Sequence, residues 1–143
     1  MAYESPTYDV LRTIGPVEIR EYEPYLAAEV VVDGSIESAG NKGFRALASF
    51  IFGRNTASDD AGAAGGTKIA MTTPVTQQAV GDRFRVRFMM PTRYTRESLP
   101  SPIDPSVEIS QVEPGRVAAI RYSGRWSASG YEHHLQKLRD TIH

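Results

Sequence analysis

Apolar and polar residues alternate through the first quarter of the chain, and the period then lengthens. The segment YDVLRTIGPVEIREY predicts two strands around a Gly15-Pro16 turn, with apolar and charged residues alternating in EIREY as on a half-buried sheet. A third extended segment, YLAAEVVVDG, is rich in valine and closes at Asp33-Gly34. From Ser35 onward Ile36, Gly40, Phe44, Leu47 and Ile51 recur at three- and four-residue steps, which gives a helix one apolar face. Ser35 suits its N-cap, and Gly53 suits the position just past its C-terminal end. The segment RNTASDDAGAAGG has nothing to bury and reads as a surface loop. KIAMTTPVTQQAV and RFRVRFMMP then predict two strands joined near Gly81-Asp82. In the second of these, Phe84, Val86, Phe88 and Met90 share one face, and Arg85 and Arg87 are expected to face solvent on the other. A proline-rich connector, TRYTRESLPSPIDPS, leads to VEISQV and RVAAIRYSG. The chain ends in a second amphipathic helix with Ala128, Tyr131, Leu135, Leu138 and Ile142 on one face.

The chain also repeats itself. A shift of 90 positions pairs Val17-Glu18-Ile19 with Val107-Glu108-Ile109, Glu23-Pro24 with Glu113-Pro114, and Gly34 with Gly124. A single ungapped offset that aligns strand with strand and helix with helix points to duplication. The expected class is therefore α+β: one domain over residues 1–143, built from two βαββ copies at about 8–91 and 107–143. The second copy stops at His143 without a counterpart of the strands at 68–91, so it lacks its final hairpin. Three explanations stay open: a shortened chain, a naturally reduced form, or a homo-oligomer that closes its sheet through the open edge.

Charge narrows the partners. Sixteen Lys and Arg against seventeen Asp and Glu leave a formal charge of −1, with no basic block to attract nucleic acid or an anionic membrane. The absence of cysteine removes disulfides, thiolate metal sites and cysteine nucleophiles. No apolar run approaches the roughly 18 residues of a membrane helix. The N-terminal MAYESPTYDV has neither the basic nor the apolar region of a signal peptide. A cytoplasmic location is the expectation that follows.

Candidate chemistry is sparse. Met71 has no histidine near it in sequence and keeps strand alternation with Ile69, Thr73 and Val75, so it reads as wall rather than ligand. His133 and His134 are adjacent, point about 100° apart on a helix, and do not converge on a metal. Nucleophile-elbow, zincin, P-loop and dinucleotide motifs are absent. Glu18, Glu21, Glu23 and Glu29 sit at half-exposed strand positions where carboxylates are normally solvated. Trp126 and Tyr131 either line an apolar pocket or cap the core. These residues fit a binding module better than an enzyme.

Six segments, YDVLRTIGPVEIREYEPYLAAEV, GFRALASFIFGRN, KIAMTTPV, VRFMMP, PSPIDPSVEI and VAAIRYSG, resemble the SOUL haem-binding family in order and spacing, from Tyr8 to about Ile142. The resemblance implies a twisted antiparallel sheet or distorted barrel with two packed helices. It further implies non-catalytic binding of haem or a related tetrapyrrole in an apolar pocket, for buffering or transport. Carried over by position, the cofactor-binding residues are Asn41, Phe44, Arg45, Ala48 and Phe52. Phe44 and Phe52 would touch the macrocycle and Arg45 would pair with a propionate. Phe44 also belongs to the expected core-facing set with Leu47 and Ile51. Some members carry a histidine within EIR-x-Y as the proposed iron ligand; Glu21 stands there, so haem is expected without an axial histidine. The other pocket wall would come from a C-terminal segment that the second copy lacks. Two alternatives remain: a general small-molecule or effector-binding module of the same architecture, and a hydrolase using a pocket glutamate as base with a tyrosine such as Tyr122 as donor.

Overall fold

Alternating and valine-rich segments form strands here, and the two segments of longer period form helices. A computed structural model describes residues 4–56, 66–124 and 127–142. Trp126, His143 and residues 57–65 of the glycine- and alanine-rich segment lie outside the described residues. In chain order the elements are β1 (Tyr8–Ile14), β2 (Val17–Tyr22), β3 (Tyr25–Val32), α1 (Ile36–Ile51), β4 (Asn55–Thr56), β5 (Thr76–Val80), β6 (Arg83–Met89), β7 (Ser101–Pro102), β8 (Glu108–Val112), β9 (Gly115–Ile120) and α2 (Ala128–Ile142). Gly15 and Gly81 close the β1–β2 and β5–β6 hairpins at φ of 57° and 63°, a conformation open to glycine at little cost.

Two compact units result. The first comprises residues 4–5 and Tyr25–Val112. Its antiparallel sheet has the order β5-β6-β3-β8, and α1 packs on β3 and β6. Ser35 and Ser38 cap α1 reciprocally: the Ser38 N–H donates to Ser35 Oγ at 3.2 Å and the Ser35 N–H donates to Ser38 Oγ at 3.1 Å. Leu47, Phe50 and Ile51 of α1 meet Ala28, Val30, Val86, Phe88 and Met90 in an apolar core. The helix can sit this close because residue 43 is glycine: a Cβ there would lie 2.5 Å from Val86 Cβ. A short β4–β7 ribbon is anchored by Asn55, which is buried.

The second unit comprises Pro6–Pro24 and residues 113–142. Its sheet has the order β1-β2-β9, and α2 packs on β9 and β2. Val17 is fully buried, whereas α2 contributes only half-buried residues, Ala128, Tyr131, Leu135 and Leu138 among them. The expected apolar face of α2 is present, with Ile142 left 40% exposed at its end.

The two sheets share one pairing register. In the second unit Glu18, Ile19, Arg20, Glu21 and Tyr22 pair with Ala119, Ala118, Val117, Arg116 and Gly115. The 90-residue shift turns these into Glu108, Ile109, Ser110, Gln111 and Val112 opposite Glu29, Ala28, Ala27, Leu26 and Tyr25, which is the β3–β8 register of the first unit. Gly34 and Gly124 take similar φ values, 127° and 118°. Each unit therefore draws strands both from before residue 91 and from after residue 107.

Four expectations change. No sheet closes into a barrel; among the described residues β5 and β8 are the edges of one sheet, and β1 and β9 of the other. KIAMTTPV is irregular, and its strand begins only at Thr76. Pro74, in a cis Thr73–Pro74 bond, has no N–H to donate to a ladder. Thr72 turns inward instead of Thr73, because its hydroxyl donates to the Met89 carbonyl at 2.6 Å. Ile69 is buried and Met71 packs against the core as wall, but Val75 is 38% exposed. Arg85 and Arg87 do not stand in solvent: their side chains are 30% and 20% exposed and gather around a glutamate. That glutamate, Glu29, is itself buried rather than solvated. Among the described residues no helix is long and apolar enough to cross a membrane.

Candidate functional site

A helix repeats every 3.6 residues, so positions 41, 44, 45, 48 and 52 fall within a stripe about 100° wide. Positions 39, 43 and 50 lie on the opposite side and 47 and 51 flank it next to Phe44; those five are the buried residues of α1. The structure thus brings Asn41, Phe44, Arg45, Ala48 and Phe52 together on the outer face of one helix. It also separates two roles that the spacing had merged. Phe44 is 39% exposed and is not a core residue; the core takes Gly43, Leu47 and Phe50 instead. Steric seating explains the rotation, since the helix approaches β6 along its glycine side.

The stripe is chemically distinctive. Phe44 and Phe52 are large apolar side chains held in solvent, Phe52 at 64% exposure. Single exposed apolar residues are ordinary, but two aromatic rings on one helical face around a small residue make a platform. Ala48, half-buried, lies between them in the stripe and adds no bulk. Arg45 is exposed and has no carboxylate partner among the described residues. Phe52 is the C-cap residue, and Gly53 follows at φ of 124°, so the helix ends where the stripe ends. The arrangement can hold a flat apolar body that carries an anionic group.

The other candidates fare differently. Glu21 is exposed and lies 3.8 Å from Arg116, a loose surface pair in the second unit. His134 donates from Nδ1 to the Gly130 carbonyl at 2.7 Å, since a carbonyl can only accept, and its ring stacks on Tyr122 at 3.7 Å. His133 is exposed, with its ring edge-on to His134 at 5.0 Å. Among the described residues no group of three or more metal-ligating side chains converges. Glu29 accepts from Ser110 Oγ, and its carboxylate lies 2.8 Å from Arg85 Nε and 3.5 Å from Arg87 Nη2. The Arg85 contact has ion-pair distance, yet the N–H is not aimed at the oxygen and makes no hydrogen bond. Attraction between charges tolerates that misalignment better than a hydrogen bond does, so we read the contact as an ion pair. With its oxygens engaged this way, Glu29 is poorly placed to act as a base.

Sequence reasoning missed a second feature. On one face of the β1–β2–β9 sheet, the Arg20 guanidinium lies 4.3 Å over the Tyr8 ring and donates to Tyr22 Oη and Glu18 Oε1, both at 2.9 Å. Burial disfavours the Arg20 charge, but the hydrogen bonds to Tyr22 and Glu18 outweigh it and leave its pKa above the usual arginine value. The available signal was the two-residue spacing of Glu18, Arg20 and Tyr22, which puts all three on one strand face.

Residues 3–143, nearly the whole chain, match the family model described as SOUL heme-binding protein. No curated protein matches the chain closely.

Proposed function

Because the chain belongs to the SOUL heme-binding protein family, we propose that it binds haem or a related tetrapyrrole on the outer face of α1, without catalysis, to buffer or carry it. One observation carries this: Phe44 and Phe52 stand exposed on one stripe with Arg45, opposite the face that packs the core. Phe44 and Phe52 would cover the macrocycle, and Ala48 would let it approach the helix. Arg45 would pair with a propionate, and Asn41 would offer its amide one turn away. Bound haem supplies only its own macrocycle and iron as cargo. Glu21 faces Arg116 and no histidine lies on α1, so affinity comes from apolar burial and the propionate contact.

The exposed fractions of Phe44 and Phe52 together amount to about one phenylalanine side chain. Burying that much contributes about 1.5–3 kcal/mol. A charge-assisted hydrogen bond from Arg45 adds about 1.5–3 kcal/mol. Haemin titration followed at the Soret band should therefore saturate, and Phe44→Ala with Phe52→Ala should weaken it ~10- to 100-fold. Arg45→Ala should weaken it about tenfold or more. A titration without saturation, or one indifferent to all three changes, would remove the proposal. The effector-module alternative favours hydrophobic cations, and the unpaired Arg45 on the stripe works against a cationic ligand there.

A further inference from the structure

The second unit holds a cavity that haem binding does not use. It measures about 350 Å³ and is lined by Tyr8, Thr13, Glu18, Arg20, Ala119 and Arg121 together with the Gly15-Pro16 turn. That volume lies within the usual range for small-molecule sites. Two guanidinium groups and one carboxylate leave the lining with one surplus positive charge.

The cations are not equivalent. Arg20 is 16% exposed at its side chain and is fixed by Tyr8, Tyr22 and Glu18. Arg121 is exposed and has no carboxylate partner among the described residues. Both Arg20 contacts with Glu18 go to Oε1, at 2.9 Å each, and Oε2 accepts no hydrogen bond among the described residues. Among the described residues, Arg121 thus offers an unpaired planar donor fork and Glu18 an unpaired acceptor oxygen. Ala119 and Pro16 supply apolar surface beside them.

We infer that this cavity is a binding site for a small organic monocarboxylate that carries a hydroxyl or amino group. Its carboxylate takes the Arg121 fork, because guanidinium matches a planar carboxylate with two parallel hydrogen bonds. Its hydroxyl or amino hydrogen goes to Glu18 Oε2, which Arg20 holds in place. Its carbon body lies against Ala119 and Pro16. All the walls belong to Pro6–Pro24 and residues 113–142, so the site is independent of the face on α1.

The test is a ¹⁵N amide-shift titration of the full chain with mandelate, phenylacetate, benzyl alcohol and inorganic phosphate as probes. Mandelate should give saturable shifts confined to residues around Thr13, Gly15, Arg20 and Arg121. Phenylacetate, lacking the hydroxyl, should bind several-fold more weakly, and benzyl alcohol, lacking the carboxylate, should not bind. Arg121→Ala should weaken mandelate at least tenfold, and Arg121→Lys by less, with haemin affinity and thermal stability unchanged in both. No saturation with mandelate overturns the inference, as does indifference to Arg121→Ala. Phosphate binding as tightly as mandelate overturns the carboxylate assignment. Equal affinity for mandelate and phenylacetate removes the role of Glu18. Loss of haemin binding in the parent protein would count only against the α1 site.

Discussion

Gly40 and Gly43 both lie inside α1, and helix propensity alone gives each alanine replacement the same gain of about 1 kcal/mol. Packing separates them. At Gly43 a new Cβ would meet Val86 Cβ and Cγ2 at 2.5 Å and Cγ1 at 2.9 Å. Because Cβ is fixed to the strand backbone, no rotation of Val86 relieves the clash. The helix must rise by roughly 1 Å to restore ordinary carbon contact. Overpacking of this kind costs about 1–3 kcal/mol, and the unrotatable contact puts Gly43→Ala at the upper end, a net loss of roughly 1–2 kcal/mol. At Gly40 the new Cβ meets only Gln77 Oε1, at 3.0 Å, the tip of a flexible side chain. Displacing it weakens the hydrogen bond from Gln77 Nε2 to the Ile36 carbonyl, so Gly40→Ala ends between neutral and about 1 kcal/mol stabilised. The two variants should differ by about 1–3 kcal/mol, on the order of 1 M in urea midpoint. Urea unfolding by circular dichroism reads this directly. Equal shifts in one direction would mean that α1 does not seat on β6 at Gly43, and the division into core and outer faces would fall with it.

Asn55 donates to the Phe50 and Thr67 carbonyls and accepts from the Thr67 N–H, at 2.7, 2.8 and 2.8 Å. Asn55→Ala should cost about 2–4 kcal/mol in the same unfolding assay. Asn55→Asp should be more damaging as pH rises through the carboxylate range, since a charge facing two carbonyls raises the folded-state pKa and stability falls on ionisation. Glu29→Gln leaves Arg85 and Arg87 facing a neutral amide; allowing for their partial exposure, the expected loss is about 1–3 kcal/mol, checked by chemical denaturation. The Asp104 carboxyl is held below its usual pKa by hydrogen bonds from the backbone N–H and then the hydroxyl of Ser106. Its stabilisation is present above the ordinary aspartate range and disappears as pH falls through the lowered value, so Asp104→Ala and the parent protein should converge in stability in acid.

Much of the fold was legible because period and position agree. Ser35, Gly15 and Gly81 carry their local meaning in their chemistry, and the helices and most strands follow from spacing. The 90-residue offset also relates the pairing of β2 with β9 to that of β8 with β3, a register that no sequence pattern stated. What sequence spacing could not supply was rotation and tertiary capture. Phe44 fits the apolar period of α1, and only the approach of Val86 to Gly43 shows which side faces the core. Arg85 and Arg87 read as solvated until Glu29 arrives from β3, 58 residues from Arg87 in sequence. Pro74 lacks the N–H that a ladder through KIAMTTPV would need, and the strand starts after it, at Thr76. The cavity beside Arg20 required Tyr8 and Arg121 to meet across three strands, and no local pattern joins them.

The central claim is the place of haem on α1, and paramagnetic broadening by ferric haemin tests it most directly, because the effect decays steeply with distance from the iron. In ¹⁵N spectra of the full chain, amides of Asn41, Phe44, Arg45, Ala48 and Phe52 should broaden first and most strongly. That pattern should disappear in Phe44→Ala/Phe52→Ala while the spectrum stays folded. Broadening centred on Glu21, on His134 or on the cavity of Arg20, with the α1 stripe unaffected, would contradict it.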